Sequence, residues 1–272
     1  MYNSDMYSQK ARQDTLEKIV SICKSINDVE GVILVGSGGD QFPDKWADID
    51  LSVVVYPASE TKSVWDILNV KFRSSFKLIT LGINQYGEND YISVLLLKNY
   101  LEVDVGVISL DNLEVKKDKW DILYEKQDKI LKKMQQSSLK RRYIDPVQYV
   151  RHSVSNIGHH FRTFAVAINR NQPFRAIKEL EDIRNLVVET WALQEGKVAK
   201  HFRDIDEADL GFRQKLVSTY PISFELDDLT TAFTNTFILF FKLAEEIDLE
   251  NQEITSIKEE MKRLLEAFGI RK

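Results

Sequence analysis

Residues 31–56 read GVILVGSGGDQFPDKWADIDLSVVVY, and this stretch decides the fold. Val32 to Val35 form a short β-branched run that ends in Gly36, Ser37, Gly38 and Gly39, the pattern of a buried strand running into a tight turn. Ile49 to Tyr56 is a second apolar strand, stopped by Pro57. Upstream, Leu16, Ile19, Val20, Cys23 and Ile26 recur at helical spacing, which predicts an amphipathic helix over roughly 8–26. Downstream, a helix is expected over 61–73, then the strand-like segments FKLITLGI, YISVLLLK and YLEVDVGVI, and a short strand at Ile122–Tyr124. Alternating helices and strands of this kind build a mixed α/β domain around one sheet.

The pattern then changes. After KRRYIDP, Pro146 suits the first turn of a helix, and segments 146–169, 173–195, 206–218, 225–248 and 253–268 carry apolar residues at three- and four-residue spacing. Breaks fall near Asn171–Pro173, Gly196 and Tyr220–Pro221. The expected class is α+β: an N-terminal mixed-sheet domain over 1–135, then a C-terminal α-helical bundle over 136–272.

A single cysteine excludes an internal disulfide framework, and Cys23 lies on the apolar stripe of the first helix, where it reads as a core thiol. No stretch approaches the ~20 apolar residues of a membrane span. The polar start MYNSDMYSQKARQD lacks the apolar core of a signal peptide, so a cytoplasmic location is expected. The net charge is −5 and neither half is basic, which disfavours a nucleic-acid partner.

The chemistry concentrates in the opening stretch. Residues i and i+2 of a strand share a face, so Asp48 and Asp50 project side by side while Ile49 and Leu51 turn toward the core. Two adjacent carboxylates repel one another unless a cation sits between them. Oxygen ligands suit a hard ion such as Mg²⁺, held by carboxylates together with substrate phosphates. Gly36 permits close backbone approach, and the Ser37 hydroxyl with the amides of Ser37, Gly38 and Gly39 forms a candidate phosphate cradle. In NYLEVDVGVISL, Glu102 and Asp104 again share one face, offering a third carboxylate if their strand lies beside that of Asp50.

A Gly-Ser turn, a ten-residue loop, Asp-Ile-Asp-Leu and a later Val-Asp-Val together resemble the DNA polymerase β-like nucleotidyltransferase superfamily. Within it, the length and helical C-terminal half are most similar to the aminoglycoside and lincosamide nucleotidyltransferases. The motifs cover residues 31–110 and the remainder matches by architecture only. The resemblance implies transfer of a nucleoside monophosphate, usually AMP from ATP, to an acceptor hydroxyl, with release of pyrophosphate. Gly36, Ser37 and Gly38 would then hold the triphosphate, and Asp48, Asp50 and Asp104 would ligate one or two Mg²⁺. Asp104 matches the family's third acid best, with Glu102 its competitor; that acid would also serve as general base. The expected partners are a nucleoside triphosphate and a small-molecule hydroxyl acceptor. A protein or RNA acceptor, or a non-catalytic nucleotide-binding regulatory protein, is the alternative.

Other features carry blander readings. GSGGD is no P-loop, because no Gly-Lys-Ser/Thr follows. His152, His159 and His160 share a predicted helix without a zinc-site motif. Glu181, Glu189 and Trp191 are minor candidates for the acceptor pocket, and the basic clusters Lys140–Arg142 and Lys200, His201, Arg203 read as solvated charge. The Phe-rich stretch TAFTNTFILFFKLA suits either an internal core or a partner, so monomer and homodimer both stay open.

Overall fold

The computed structural model describes residues 8–40, 42, 46–115, 119–138, 144–197, 202, 204–248 and 250–270. The chain divides into two compact units, Met1–Arg142 and Tyr143–Lys272.

The first unit is a six-stranded mixed sheet with helices on its faces. Helix α1 (Gln9–Lys24) is capped by the Ser8 hydroxyl, which accepts from the Ala11 amide at 3.1 Å. Strands β1 (Val29–Val35) and β2 (Ile49–Val55) follow, and then α2 (Thr61–Ser75). Next come β3 (Leu78–Gly87), β4 (Asp90–Leu97), β5 (Glu102–Ser109), β6 (Trp120–Glu125) and α3 (Lys129–Ser138). The strand order is β3-β4-β5-β2-β1-β6; β2 and β5 run parallel, and the other neighbours are antiparallel. Helix α3 spans the 135/136 junction anticipated from sequence and belongs to the first unit.

One sheet face packs on α1 and α2. Leu16, Ile19 and Cys23 join Leu68 and Phe72 against Val53, Val55, Leu95 and Val103. A polar relay pins α2 within this apolar layer: buried Trp65 donates Nε1 to Ser93 Oγ at 2.8 Å, and Ser93 donates to Asn69 Oδ1 at 2.7 Å. Trp65 Nε1, Ser93 Oγ and Asn69 Oδ1 are thus each paired, which offsets the cost of burying them. On the opposite face, α3 covers one end of the sheet, where Ile130 and Met134 pack with Ile33, Val54 and Ile108.

The second unit is helical: α4 (Pro146–Asn169), α5 (Pro173–Gln194), α6 (Leu210–Val217), α7 (Leu226–Ile247) and α8 (Gln252–Ala267). Proline opens both α4 and α5, where its missing N–H leaves no intrahelical bond unmade. The Phe-rich stretch turns inward: Phe233 stacks on Phe164 at 4.0 Å between ring centroids and meets Phe161 edge-on at 5.0 Å. Arg184 is an exception to the apolar pattern, since it is fully buried. It donates Nε to Thr219 Oγ1 at 2.9 Å and Nη2 to the Thr219 carbonyl at 2.6 Å, stacks over Tyr220 at 3.7 Å, and pairs with Glu181. The side chain therefore satisfies the turn that follows α6, a role that spacing along the sequence does not reveal.

Among the described residues, no helix is long and apolar enough to cross a membrane. Cys23 lies fully inside the core, as its place on the α1 stripe predicts, and burial pushes its thiol up to about 12. The thiolate is the reactive form. Native protein at pH 8 should thus leave Cys23 unmodified by a disulfide exchange reagent, while denatured protein reacts with one equivalent; fast labelling of the folded chain would contradict the packing. Phe161→Ala should lower stability by about 3–5 kcal/mol, measurable by urea denaturation, because the cavity opens among rings that cannot all collapse into it.

Candidate active site

The site is built on alternation. In β2, Ile49 and Leu51 are buried in the α1/α2 core, whereas Asp50 and Ser52 are half-buried on the opposite face; Asp48 immediately precedes the strand and is also half-buried. In β5, Val103, Val105 and Val107 occupy the core, which leaves Glu102, Asp104 and Gly106 to the other face. The parallel ladder sets Asp50 opposite Asp104, and Ser52 opposite Gly106. On the outer sides, β1 places Val35 beside Asp50 and Ile33 beside Ser52, while β4 places Val94 beside Asp104 and Ile92 beside Gly106.

One row across the sheet therefore runs Val35, Asp50, Asp104, Val94, and the next runs Ile33, Ser52, Gly106, Ile92. Neighbouring strands lie about 4.8 Å apart, so Asp50 and Asp104 occupy adjacent positions of like charge. Glu102 is instead opposite Leu96, is exposed, and sits nearer the start of the strand. Adjacent half-buried carboxylates with only oxygen donors suit a hard divalent cation such as Mg²⁺.

The turn after β1 differs from the simple tight turn expected. Gly36 to Asp40 form a short 3₁₀ helix, entered through Gly36 at φ +70°, a conformation that favours glycine. The Gly36 amide donates to the Lys119 carbonyl at 3.0 Å, extending the pairing of β1 with β6. A Cβ on Gly38 would meet the Leu34 side chain at 2.6 Å, and one on Gly39 would meet the Lys119–Trp120 backbone at 2.7 Å. Gly39 is thus needed to seat the turn on the sheet end, while a side chain at Gly38 would require Leu34 to move aside. The Ser37 hydroxyl lies outside what the structure describes.

A cavity of about 400 Å³ opens on the carboxylate face, over Asp50, Ser52, Asp104 and Gly106, with Tyr86 and Met134 at its border. Asp90 and Glu114 also reach its wall. Sequence reasoning stopped at the acids and missed these residues. The signal was present for Ser52 and Gly106, since each sits two residues beyond an acid on the same strand face. Asp90 shares the β4 face of Ile92 and Val94, whereas Tyr86 lies near the end of β3 and Glu114 lies beyond β5, where no such alternation marks them.

The helical-half candidates each have partners within the second unit. Trp191 is buried and stacks on Phe212 at 4.9 Å, Glu181 pairs with Arg184, and Glu189 accepts a hydrogen bond from Tyr149. Burial and the Glu189 carboxylate both push the Tyr149 hydroxyl well above its ordinary range. His160, Glu179 and Asp182 hold ligand-type atoms within 4.8 Å of one another, but His160 Nδ1 already bonds Glu179 at 3.0 Å and Lys178 neutralises Asp182. Lys140–Arg142, Lys200, His201 and Arg203 lie outside the described residues.

No protein-family model matches this chain, and no curated protein matches it. Solved structures do. An RNA terminal uridylyl transferase, Cid1, matches at 19% identity over 36% of this chain and 30% of its own, with a TM-score of 0.31. A nucleotidyltransferase-like protein from Exiguobacterium sibiricum matches at 13% identity over 96% of this chain and 90% of its own, with a TM-score of 0.40. An aminoglycoside 6-adenyltransferase from Bacillus subtilis matches at 14% identity over 96% of this chain and 98% of its own, with a TM-score of 0.41. Along nearly its whole length, this chain is similar to two solved structures described as a nucleotidyltransferase-like protein and an adenyltransferase.

Proposed function

We propose that this chain is a Mg²⁺-dependent nucleotidyltransferase that passes a nucleoside monophosphate, AMP from ATP in the first instance, to a hydroxyl of a small-molecule acceptor. The observation that carries this reading is the in-register pair Asp50–Asp104, one strand away from the glycine turn at Gly36. Asp48, Asp50 and Asp104 would hold the metal, and the backbone of Gly36, Ser37 and Gly38 would hold the triphosphate. Bound Mg²⁺ supplies charge neutralisation at the phosphates during transfer.

The acceptor oxygen attacks the α-phosphorus in line and its proton passes to the Asp104 carboxylate. A new P–O bond forms as the bond to the β-phosphate oxygen breaks, and pyrophosphate leaves with both electrons of that bond. Asp104 suits the general base because its strand borders the open cavity, whereas Glu102 stands at the exposed strand end. Asp90 and Glu114 add two further carboxylates to the wall, and among the described residues no lysine or arginine lines it. The net charge of −5, with neither half basic, favours a small-molecule polyol, such as an aminoglycoside or lincosamide, over the end of an RNA strand.

Pyrophosphate release with ATP, Mg²⁺ and a panel of such acceptors tests the reading. Asp50→Asn should retain less than about a tenth of wild-type turnover, since phosphoryl-type transfer depends on positioning and charge stabilisation. Asp104→Asn should be equally damaging and Glu102→Gln should keep most of the activity; the reverse ranking would move the third acid to Glu102. Chelation by EDTA should abolish turnover, and added Mg²⁺ should restore it.

A further inference from the structure

We propose that Ser52 and Gly106 form the floor of the acceptor subsite, with Gly106 setting which acceptor ring can enter. This assignment rests on the nucleotidyltransferase reading and names the part of the site that reading leaves blank. The two residues are register partners on β2 and β5, one alternation step beyond Asp50 and Asp104. Their neighbours in the same row are the much larger Ile33 and Ile92. Two small residues side by side between two isoleucines make a depression in the sheet, and the 400 Å³ cavity lies over it.

Gly106 has no other reason to be glycine. Its φ is not in the left-handed region, unlike that of Gly36. A Cβ there would come no closer than 3.5 Å to the Leu51 carbonyl and 4.0 Å to the Tyr91 carbonyl, which is ordinary contact. Glycine inside a strand weakens it, and commonly marks a place where a ligand approaches the backbone. What Gly106 contributes is therefore space, and that space lies about 7 Å along the strands from the acids.

The surroundings define the occupant. Half-buried Ile92 flanks the floor and suits the C–H face of a ring, with fully buried Ile33 closing the other side, while Asp104 at the mouth row meets a hydroxyl on that ring. The volume lies within the ~300–1,000 Å³ of small-molecule pockets and accommodates one or two rings. A ring seated on Ser52 and Gly106 would turn one hydroxyl toward the Asp104 carboxylate, as attack on the α-phosphorus requires.

The test compares wild type, Gly106→Ala and Gly106→Val, with streptomycin, kanamycin and lincomycin as acceptor probes. Thermal melting should show both variants folded, with the midpoint unchanged or raised. ATP–Mg²⁺ affinity by calorimetry should change less than about threefold, because the nucleotide turn lies beyond β2. Acceptor KM should rise with side-chain size, about tenfold or more for Gly106→Val, with Gly106→Ala between. Wild-type turnover with an unchanged acceptor KM in folded Gly106→Val, or in Gly106→Ala should the valine variant not fold, overturns the subsite and leaves the transferase reading intact. Absence of pyrophosphate release from the wild type on every probe overturns that reading, and the subsite with it.

Discussion

The arrangement depends on the register of one pair of parallel strands. β2 and β5 meet with Asp50 opposite Asp104, and everything on the carboxylate face follows from that alignment. A one-residue slip of either strand would send its acids to the core face and its valines to the open face. Val53, Val55, Val103, Val105 and Val107 are all fully buried on the far side, so a slip would expose several branched side chains at once. Each is worth roughly 1.5–3 kcal/mol when buried. The hydrophobic face thereby fixes Asp50 and Asp104 beside each other.

Glycine serves three distinct ends here. At Gly36 the backbone needs a positive φ. At Gly39 the chain passes so close to the Lys119–Trp120 backbone that no side chain fits, and at Gly38 one would have to displace Leu34. At Gly106 neither condition applies. The first two cases concern the folding of the turn, and the third leaves a vacant place on an otherwise filled surface. Treating all glycines near a site as phosphate-binding elements would hide that difference.

Much of the fold is legible in the sequence because period-2 and period-3.6 patterns are strong in this chain. The limits of α4, α5 and α7 fall within a residue or two of where proline, Asn171 and the apolar stripes place them. The core-facing and outward residues of β2 and β5 alternate as expected. What periodicity does not supply is pairing between distant elements. Neither the strand order, nor the choice between Glu102 and Asp104 as Asp50's neighbour, nor the buried Arg184 held by Thr219 can be derived from local spacing. Each depends on contacts between segments that are far apart in the chain. The 3₁₀ form of Gly36–Asp40 was missed for a related reason, since close approach of Lys119–Trp120 shapes the turn.

The parallel pairing also imposes an order of assembly. β1 with β2, and β3 with β4, join segments close in sequence, and such contacts close small loops at low entropic cost. Asp50 and Asp104, by contrast, lie roughly fifty residues apart and become neighbours only when α2 and the β3–β4 hairpin have been carried across to bring β5 home. The Asp50–Asp104 pair is consequently absent from every partially folded species in which β5 is still undocked. Any ligand that needs both carboxylates would therefore bind only once this topology is complete, as a marker of the docked β5.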